Sequence, residues 1–365
     1  MLALPVLIAA WAYVSRNVGA MLIALGLLLG VLAWRITALR TVLTFLASLS
    51  MAVAVAEFIV PMFEKKPPPD AIKVIEPPDY WLVTSYGAIG SKGSHQFKRI
   101  APDGRVIYDT IYTIGDDGYR VTPDVPESGD RIVFYGDSFT FGEGLKDDET
   151  MPYYVARFTG RPIKNYGFHG YGVQQALAIM QSDRNTSGTV NFLLTAPWHA
   201  QRSACKVVFS AGSPKYEVTA EGKVVDTGRC RMVTGLGPLG KIISMSNLYK
   251  RYLSTRPMEV TDADYDRYLA LIGEMARISR ERGQKFIIGF VRADEDLFEG
   301  THYSNEKILD KLRGLGVEIV DLTLTPRNED LERKYYIDEL DKHPSAQANR
   351  ARAGILKDVF ERKSK

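Results

Sequence analysis

Cysteine is scarce: the 365 residues contain two, Cys205 and Cys230, too few for a disulfide scaffold and without the C-x-x-C spacing of a zinc or thiol-redox site. Histidine is nearly as rare, with five, and no His-x-x-x-His pair or Gly-rich phosphate loop occurs. Metal hydrolysis and nucleotide chemistry therefore have no residues to stand on, and no metal or cofactor is expected. An excess of one charge is missing too, because the formal net charge is +3 with no clustered Lys/Arg face, which argues against a nucleic-acid partner. There is no internal repeat and no low-complexity segment. Residues 1–63 almost lack charge, holding only Arg16, Arg35, Arg40 and Glu57, whereas the chain after Glu64 has the mixed charge of a soluble protein.

That imbalance points to a membrane-embedded start. Residues 41–63, TVLTFLASLSMAVAVAEFIVPMF, are ~23 residues, enough at ~1.5 Å rise per residue to cross a ~30 Å hydrocarbon core. A second apolar run covers residues 20–34 and a third, short for a full crossing, residues 2–14, so two or three segments are expected. No basic region precedes the first run and more runs follow it, which argues against a cleaved signal peptide. Arg35 and Arg40 favour a cytoplasmic loop between the last two runs, but Lys65 and Lys66 nearly balance them. The cysteines bracket β-rich runs with Gly/Ser/Pro turns, a hairpin insertion at about residues 205–240 that brings its ends together. They either pair, which needs an oxidising compartment, or stand as two separate structural thiols. The outer, periplasmic face is the expected location of the large domain.

KKPPPD at residues 65–70 reads as a stiff proline linker. Up to residue 130 the signals are short strands and turns, as in VIYDTIYTIGDDGYRVTP with its alternating apolar residues and Asp-Gly turn, a β-rich lead-in. From residue 131 strand-like runs alternate with helical patterns: IVFY, PIKNY, VNFLLTA, KFIIGFV and VEIVDL. That alternation predicts an α/β domain over residues 131–365 with a doubly wound parallel sheet. The clearest helix spans residues 262–282, with Thr261 as N-cap, Asp264 three residues on, an apolar stripe at Tyr265, Tyr268, Leu269, Ile272 and Met275, and Gly283 as stop.

The chain is organised around RIVFYGDSFTFG at residues 131–142. Its apolar run lacks polar alternation, as in a strand buried on both faces, and Gly136 ends it so that Ser138 stands at the carboxyl end of the strand. A serine there is placed for acyl chemistry; the plain alternative is that Asp137 and Ser138 only cap the next helix. A nucleophile needs a base, and the base a group to fix its tautomer. His95 and His302 read as surface residues. His343 stands in LDKHPSAQAN, two residues after Asp341 and before Pro344, at the mouth of the last helix.

GDSFTFG resembles the first block of the SGNH (GDSL-type) hydrolases, whose nucleophile is the serine after Gly-Asp. It is not the G-x-S-x-G elbow. The resemblance covers residues 131–365 and part of the lead-in. It implies a flavodoxin-like α/β fold and a C-terminal Asp and His, followed by Pro, as the rest of a triad. The common spacing is D-x-x-H, which would put the acid at Leu340, so this chain carries a D-x-H form with Asp341 as the acid and Asp338 in reserve. NYGFHGYG at residues 165–172 is similar to the second block, so Gly170 would share an oxyanion hole with the Ser138 N–H. His169, its neighbour, receives no role. In the third block the family's asparagine is missing: the chain reads TAPWHAQR, and Trp198 or His199 takes its place, with His199 as the candidate donor.

The resemblance implies a serine enzyme that cleaves or transfers ester-linked acyl groups through an acyl-serine. Some membrane-linked members O-acetylate exopolysaccharides, so an ester-bearing glycan or lipid of the cell envelope is the expected substrate, with a membrane acyltransferase or polysaccharide-export partner. The rival is a non-catalytic glycan-binding component of such a system, and the separation of Ser138 and His343 discriminates the two.

Overall fold

The apolar N-terminal runs are helical. Helix α1 (Val18–Arg35) starts on Asn17, whose side chain accepts from the Ala20 N–H, and a short turn leads to α2 (Arg40–Phe63). The helices pack through small residues, with Ala24, Ala33 and Ala54 buried, and the Ser50 hydroxyl donates to the Leu22 carbonyl at 2.7 Å. Outward, α1 exposes Leu25, Leu27 and Trp34, and α2 exposes Val42, Phe45 and Leu49. Both are long and apolar enough to cross a membrane. The computed structural model describes residues 17–63, 72–125, 130–182, 189–230, 259–325 and 334–362, with Ile243, Ser246 and Leu248. The expected run at 2–14 and the proline linker at 65–70 lie outside the described residues. The chain divides into two compact units, residues 1–69 with 231–258, and residues 70–230 with 259–365.

The second unit opens with β1 (Lys73–Ile75), the hairpin β2 (Trp81–Thr84) and β3 (Gly87–Gly90), and the long antiparallel pair β4 (Gly93–Ile100) and β5 (Val106–Ile114). In β5 the period of two is kept: Tyr108, Thr110, Tyr112 and Ile114 are buried and Ile111 faces out. The inward rings do not form a separate core. Tyr112 meets Phe141 edge-on at 5.0 Å and Tyr80 stacks on Phe168 at 6.0 Å, so the lead-in packs directly against the α/β part.

That part runs β6 (Ile132–Tyr135), α3 (Ser138–Phe141), α4 (Met151–Thr159), β7 (Ile163–Asn165), α5 (Val173–Gln181), β8 (Val190–Thr195), α6 (His199–Ser203) and the hairpin β9 (Pro214–Val218) with β10 (Val224–Arg229). It continues with α7 (Asp262–Glu281), β11 (Lys285–Phe290), α8 (Asn305–Arg313), β12 (Glu318–Asp321), β13 (Tyr336–Asp338), β14 (Asp341–Pro344) and α9 (Ala346–Glu361). Five strands form one parallel sheet in the order β12-β11-β8-β6-β7. Numbered by appearance, that is 2-1-3-4-5 read from the β7 edge.

Alternate residues of each strand feed two apolar layers. Val133, Tyr135, Leu193 and Ile288 pack with residues of α5 and α7, while Ile132, Phe134, Leu194 and Ile287 pack with residues of α4 and α9. Burial on both faces is why these strands read as continuous apolar runs. In α7 the expected stripe is buried and Asp264 accepts from the Thr261 N–H at 2.8 Å. Cys205 and Cys230 are joined by a disulfide at the base of the β9–β10 hairpin, with their Cα atoms 5.3 Å apart.

Candidate active site

In this strand order the chain leaves β6 for β7 on one side and returns across it to β8. The carboxyl ends of β6 and β8 therefore open a crevice between diverging connections, where open α/β sheets bind their ligands. Ser138 stands there. Gly136 makes the turn, since a Cβ at that position would come within 2.2 Å of the Thr140 hydroxyl and 3.1 Å of the Leu194 carbonyl. Asp137 then caps α3, its Oδ1 accepting from the Phe139 N–H at 3.0 Å. Helix capping and serine presentation, alternatives in the sequence, are both realised by adjacent residues.

The other Asp137 oxygen accepts from Trp198 Nε1 at 3.0 Å, His199 Nε2 at 3.1 Å and Arg202 Nη1 at 2.7 Å. Burial alone would raise its pKa, but Arg202 and His199 more than offset this and hold the carboxylate well below its usual range. Asp137 thus ties the serine turn to α6.

His343 arrives from the far end of the chain. Ser138 Oγ donates to His343 Nε2 at 2.9 Å, and His343 Nδ1–H donates to Asp341 Oδ1 at 2.5 Å. The D-x-H spacing works because the segment is strand β14, in which residues two apart project to the same face. Leu340, where D-x-x-H would put the acid, is 49% exposed. Asp338 pairs instead with Arg105 of the lead-in. Asp341 is buried, and its second oxygen accepts from Arg99 Nη1 of β4 at 2.7 Å. Burial would raise its pKa, but His343 and Arg99 lower it overall. For His343, burial favours the neutral ring, yet Glu143 and Asp341 together shift its pKa upward.

Gly170 lies at φ +66° in the loop after β7, and that loop runs beside the serine turn: the Tyr166 N–H donates to the Phe134 carbonyl at 2.8 Å and the Phe168 N–H to that of Gly136 at 3.4 Å. Buried Asn165 fixes it, donating to the Thr140 carbonyl and accepting from the Gly167 N–H.

His199 requires a correction. It is buried, its Nε2–H donates to Asp137, and its Nδ1 accepts from the Thr195 hydroxyl at 3.1 Å. Both ring nitrogens are engaged within the fold, so the ring braces the serine turn rather than offering a free donor to an oxyanion. His95 also departs from expectation: it is buried, packs edge-on to Tyr80 at 5.1 Å, and bonds to the Ser91 carbonyl. His302 does lie at the surface, paired with Asp262.

Two site residues, Arg99 and Glu143, escaped the sequence reading, and His169, given no role there, joins them. Arg99 comes from a strand 242 residues before Asp341, and no local pattern marks it. Glu143 lies 3.5 Å from His343 Nε2, and its Oε2 also accepts from His169 Nδ1–H at 2.9 Å. His169 Nε2 in turn accepts from the Tyr80 hydroxyl at 3.2 Å. The only signal was the proximity of Glu143 and His169 to the serine and glycine blocks.

No family model and no curated protein matches the chain. Its structural neighbours are GDSL-type hydrolases and carbohydrate esterases. An acetyl xylan esterase from the rumen bacterium Butyrivibrio proteoclasticus is 12% identical, with 65% of each chain covered and a TM-score of 0.38. A GDSL-like lipase from Bacteroides thetaiotaomicron is 14% identical, covering 65% of this chain and 92% of that one at a TM-score of 0.36. A family two carbohydrate esterase from Clostridium thermocellum, solved with cellohexaose, is 10% identical, covering 75% and 77% at a TM-score of 0.39.

Proposed function

We propose that this protein is a membrane-anchored serine esterase or acyl-transfer enzyme of SGNH type, with its α/β domain outside the cytoplasm. The observation that carries the reading is the unbroken relay from Ser138 through His343 to Asp341, at 2.9 and 2.5 Å. A separation this short supports an enzyme over a glycan-binding module, which has no use for an activated serine.

In the first half-reaction the Ser138 hydroxyl proton passes to His343 Nε2 as Oγ bonds to the acyl carbon. Asp341 holds Nδ1–H and so keeps Nε2 free to accept. The tetrahedral adduct collapses, the leaving alkoxide takes the proton from Nε2, and an acyl-serine remains. Water or a sugar hydroxyl then gives its proton to Nε2 and attacks the acyl carbon, and collapse returns the proton to Ser138 Oγ. The Ser138 and Gly170 N–H groups are the donors assigned to the oxyanion, each typically worth ~10²–10³ in rate.

The two apolar helices support the anchor, and the Cys205–Cys230 bridge supports an oxidising compartment. An ester-linked acyl group on envelope polysaccharide or lipid is the assigned substrate class. Incubation with a fluorophosphonate probe tests the enzyme reading: the native chain is expected to label at Ser138, and absence of labelling at every pH between 6 and 9 would overturn it.

A further inference from the structure

Glu143 is a carboxylate beside the catalytic base that the relay itself does not require. Its side chain is only 20% exposed, and one oxygen reaches to 3.5 Å from His343 Nε2, the nitrogen that faces Ser138. That distance is too long for a good hydrogen bond but well within strong charge interaction. The Nε2 lobe is therefore left to the serine hydroxyl at 2.9 Å, while a fixed negative charge sits beside it.

The carboxylate is held in place from two sides. His169 Nδ1–H donates to it at 2.9 Å, with the Tyr80 hydroxyl behind His169, and the Arg99 guanidinium lies 4.0 Å from its other oxygen. The same guanidinium nitrogen bonds Asp341 at 2.7 Å, so one arginine of the lead-in spans the acids on both sides of the imidazole.

We infer, building on the serine-enzyme reading, that Glu143 is a positioning residue for His343: anchored by His169 and Arg99, its carboxylate stabilises the imidazolium formed when the ring takes the Ser138 proton. Burial opposes ionisation of Glu143, yet His343, His169 and Arg99 together lower its pKa and favour the carboxylate. Other groups also surround the imidazole. Asp341 is on its own strand, Asp137 precedes α3, the Phe139 ring lies at 5.7 Å, and the Arg352 guanidinium of α9 stacks over the Phe139 ring. Glu143 is the only one of these carboxylates placed on the Nε2 side at contact distance.

A negative charge near Nε2 raises the pKa of His343, and the catalytic form is the neutral ring. Activity in kcat/KM therefore rises with pH through a midpoint above that of an ordinary histidine. Glu143→Gln removes the charge and keeps the shape, and the midpoint is expected to fall by about one pH unit or more. Plateau kcat is expected to fall ~10-fold, because the imidazolium in the transition state has lost a partner. Glu143→Asp, which withdraws the charge by one methylene, should give an intermediate midpoint.

The deciding measurement is the titration of ¹³Cε1-labelled histidine in the full-length protein in detergent, with His302 as internal reference, alongside the pH profile on a small aryl acetate. The chain has only five histidines, so the signals can be assigned by substitution. A His343 midpoint that does not move in folded Glu143→Gln, or if that variant fails to fold in Glu143→Asp, overturns the inference whether or not the wild type is active. A wild type with no esterase activity sinks the enzyme reading alone, because the titration does not depend on turnover.

Discussion

Arg99 offers the sharpest test of the idea that the β-rich lead-in is part of the active site. In Arg99→Gln the buried Asp341 carboxylate loses its donor at 2.7 Å, and Glu143 loses a cation at 4.0 Å. A charge-assisted bond of this kind contributes about 1.5–3 kcal/mol, and the Arg99 side chain is 23% exposed, so the middle of that range is appropriate. The expected result is a melting temperature lower by ~5 °C. The pH dependence is distinctive. The folded-state pKa of Asp341 is depressed, so the contribution of the pair is present above the ordinary aspartate value near ~4 and is lost as pH falls through the folded value. The stability gap between Arg99→Gln and wild type should therefore be full at pH 7 and close in more acid solution. In kinetics the effect is opposite to that of Glu143→Gln: two carboxylates lose their counter-charge, the imidazolium is favoured, and the acid limb of kcat/KM moves to higher pH. The assays are calorimetry from pH 3 to 8 and a pH profile on an aryl acetate. Unchanged melting at pH 7 together with an unchanged acid limb would refute the reasoning.

Ser138→Ala should abolish probe labelling and esterase activity with the fold intact, as judged by circular dichroism, and surviving activity would remove the nucleophile assignment. His343→Ala should lose nearly as much, and the double variant little more, since the relay acts as a unit; additive losses would argue that the two act separately. His199→Ala leaves the Asp137 carboxylate short of one donor, so a stability loss of about 1–3 kcal/mol is expected with KM nearly unchanged. A 10²–10³ fall in kcat at wild-type stability would instead restore an oxyanion role to that ring. Reducing the Cys205–Cys230 bridge, which closes a separation of 25 residues, should cost about 3 kcal/mol, and thermal melts with and without dithiothreitol check it.

Several features could be read from local sequence because the physics that sets them is local. The two apolar helices follow from unbroken hydrophobic length, the sheet strands from apolar runs buried on two faces, and α7 from its periodic stripe and the Thr261/Asp264 start. The serine block was legible because a strand, a glycine and an Asp cap fall within one short segment. Its pairing with His343 came only from the family resemblance, since nothing local brings together residues 205 apart in the chain.

The tertiary structure decided how buried charge is balanced. Asp137, Asp341 and Glu143 all lose water near the serine, and each must find cations or donors wherever the fold supplies them: Arg202 and His199 from α6, Arg99 from the lead-in, His169 from the loop after β7. Hence His199, which sequence order aligned with an oxyanion donor, is taken up by Asp137, and His95, polar in its local context, is buried against Tyr80. A one-dimensional pattern records which groups are available, but which of them is desolvated beside which depends on strand order and loop path, and those are set by the packing of the whole domain.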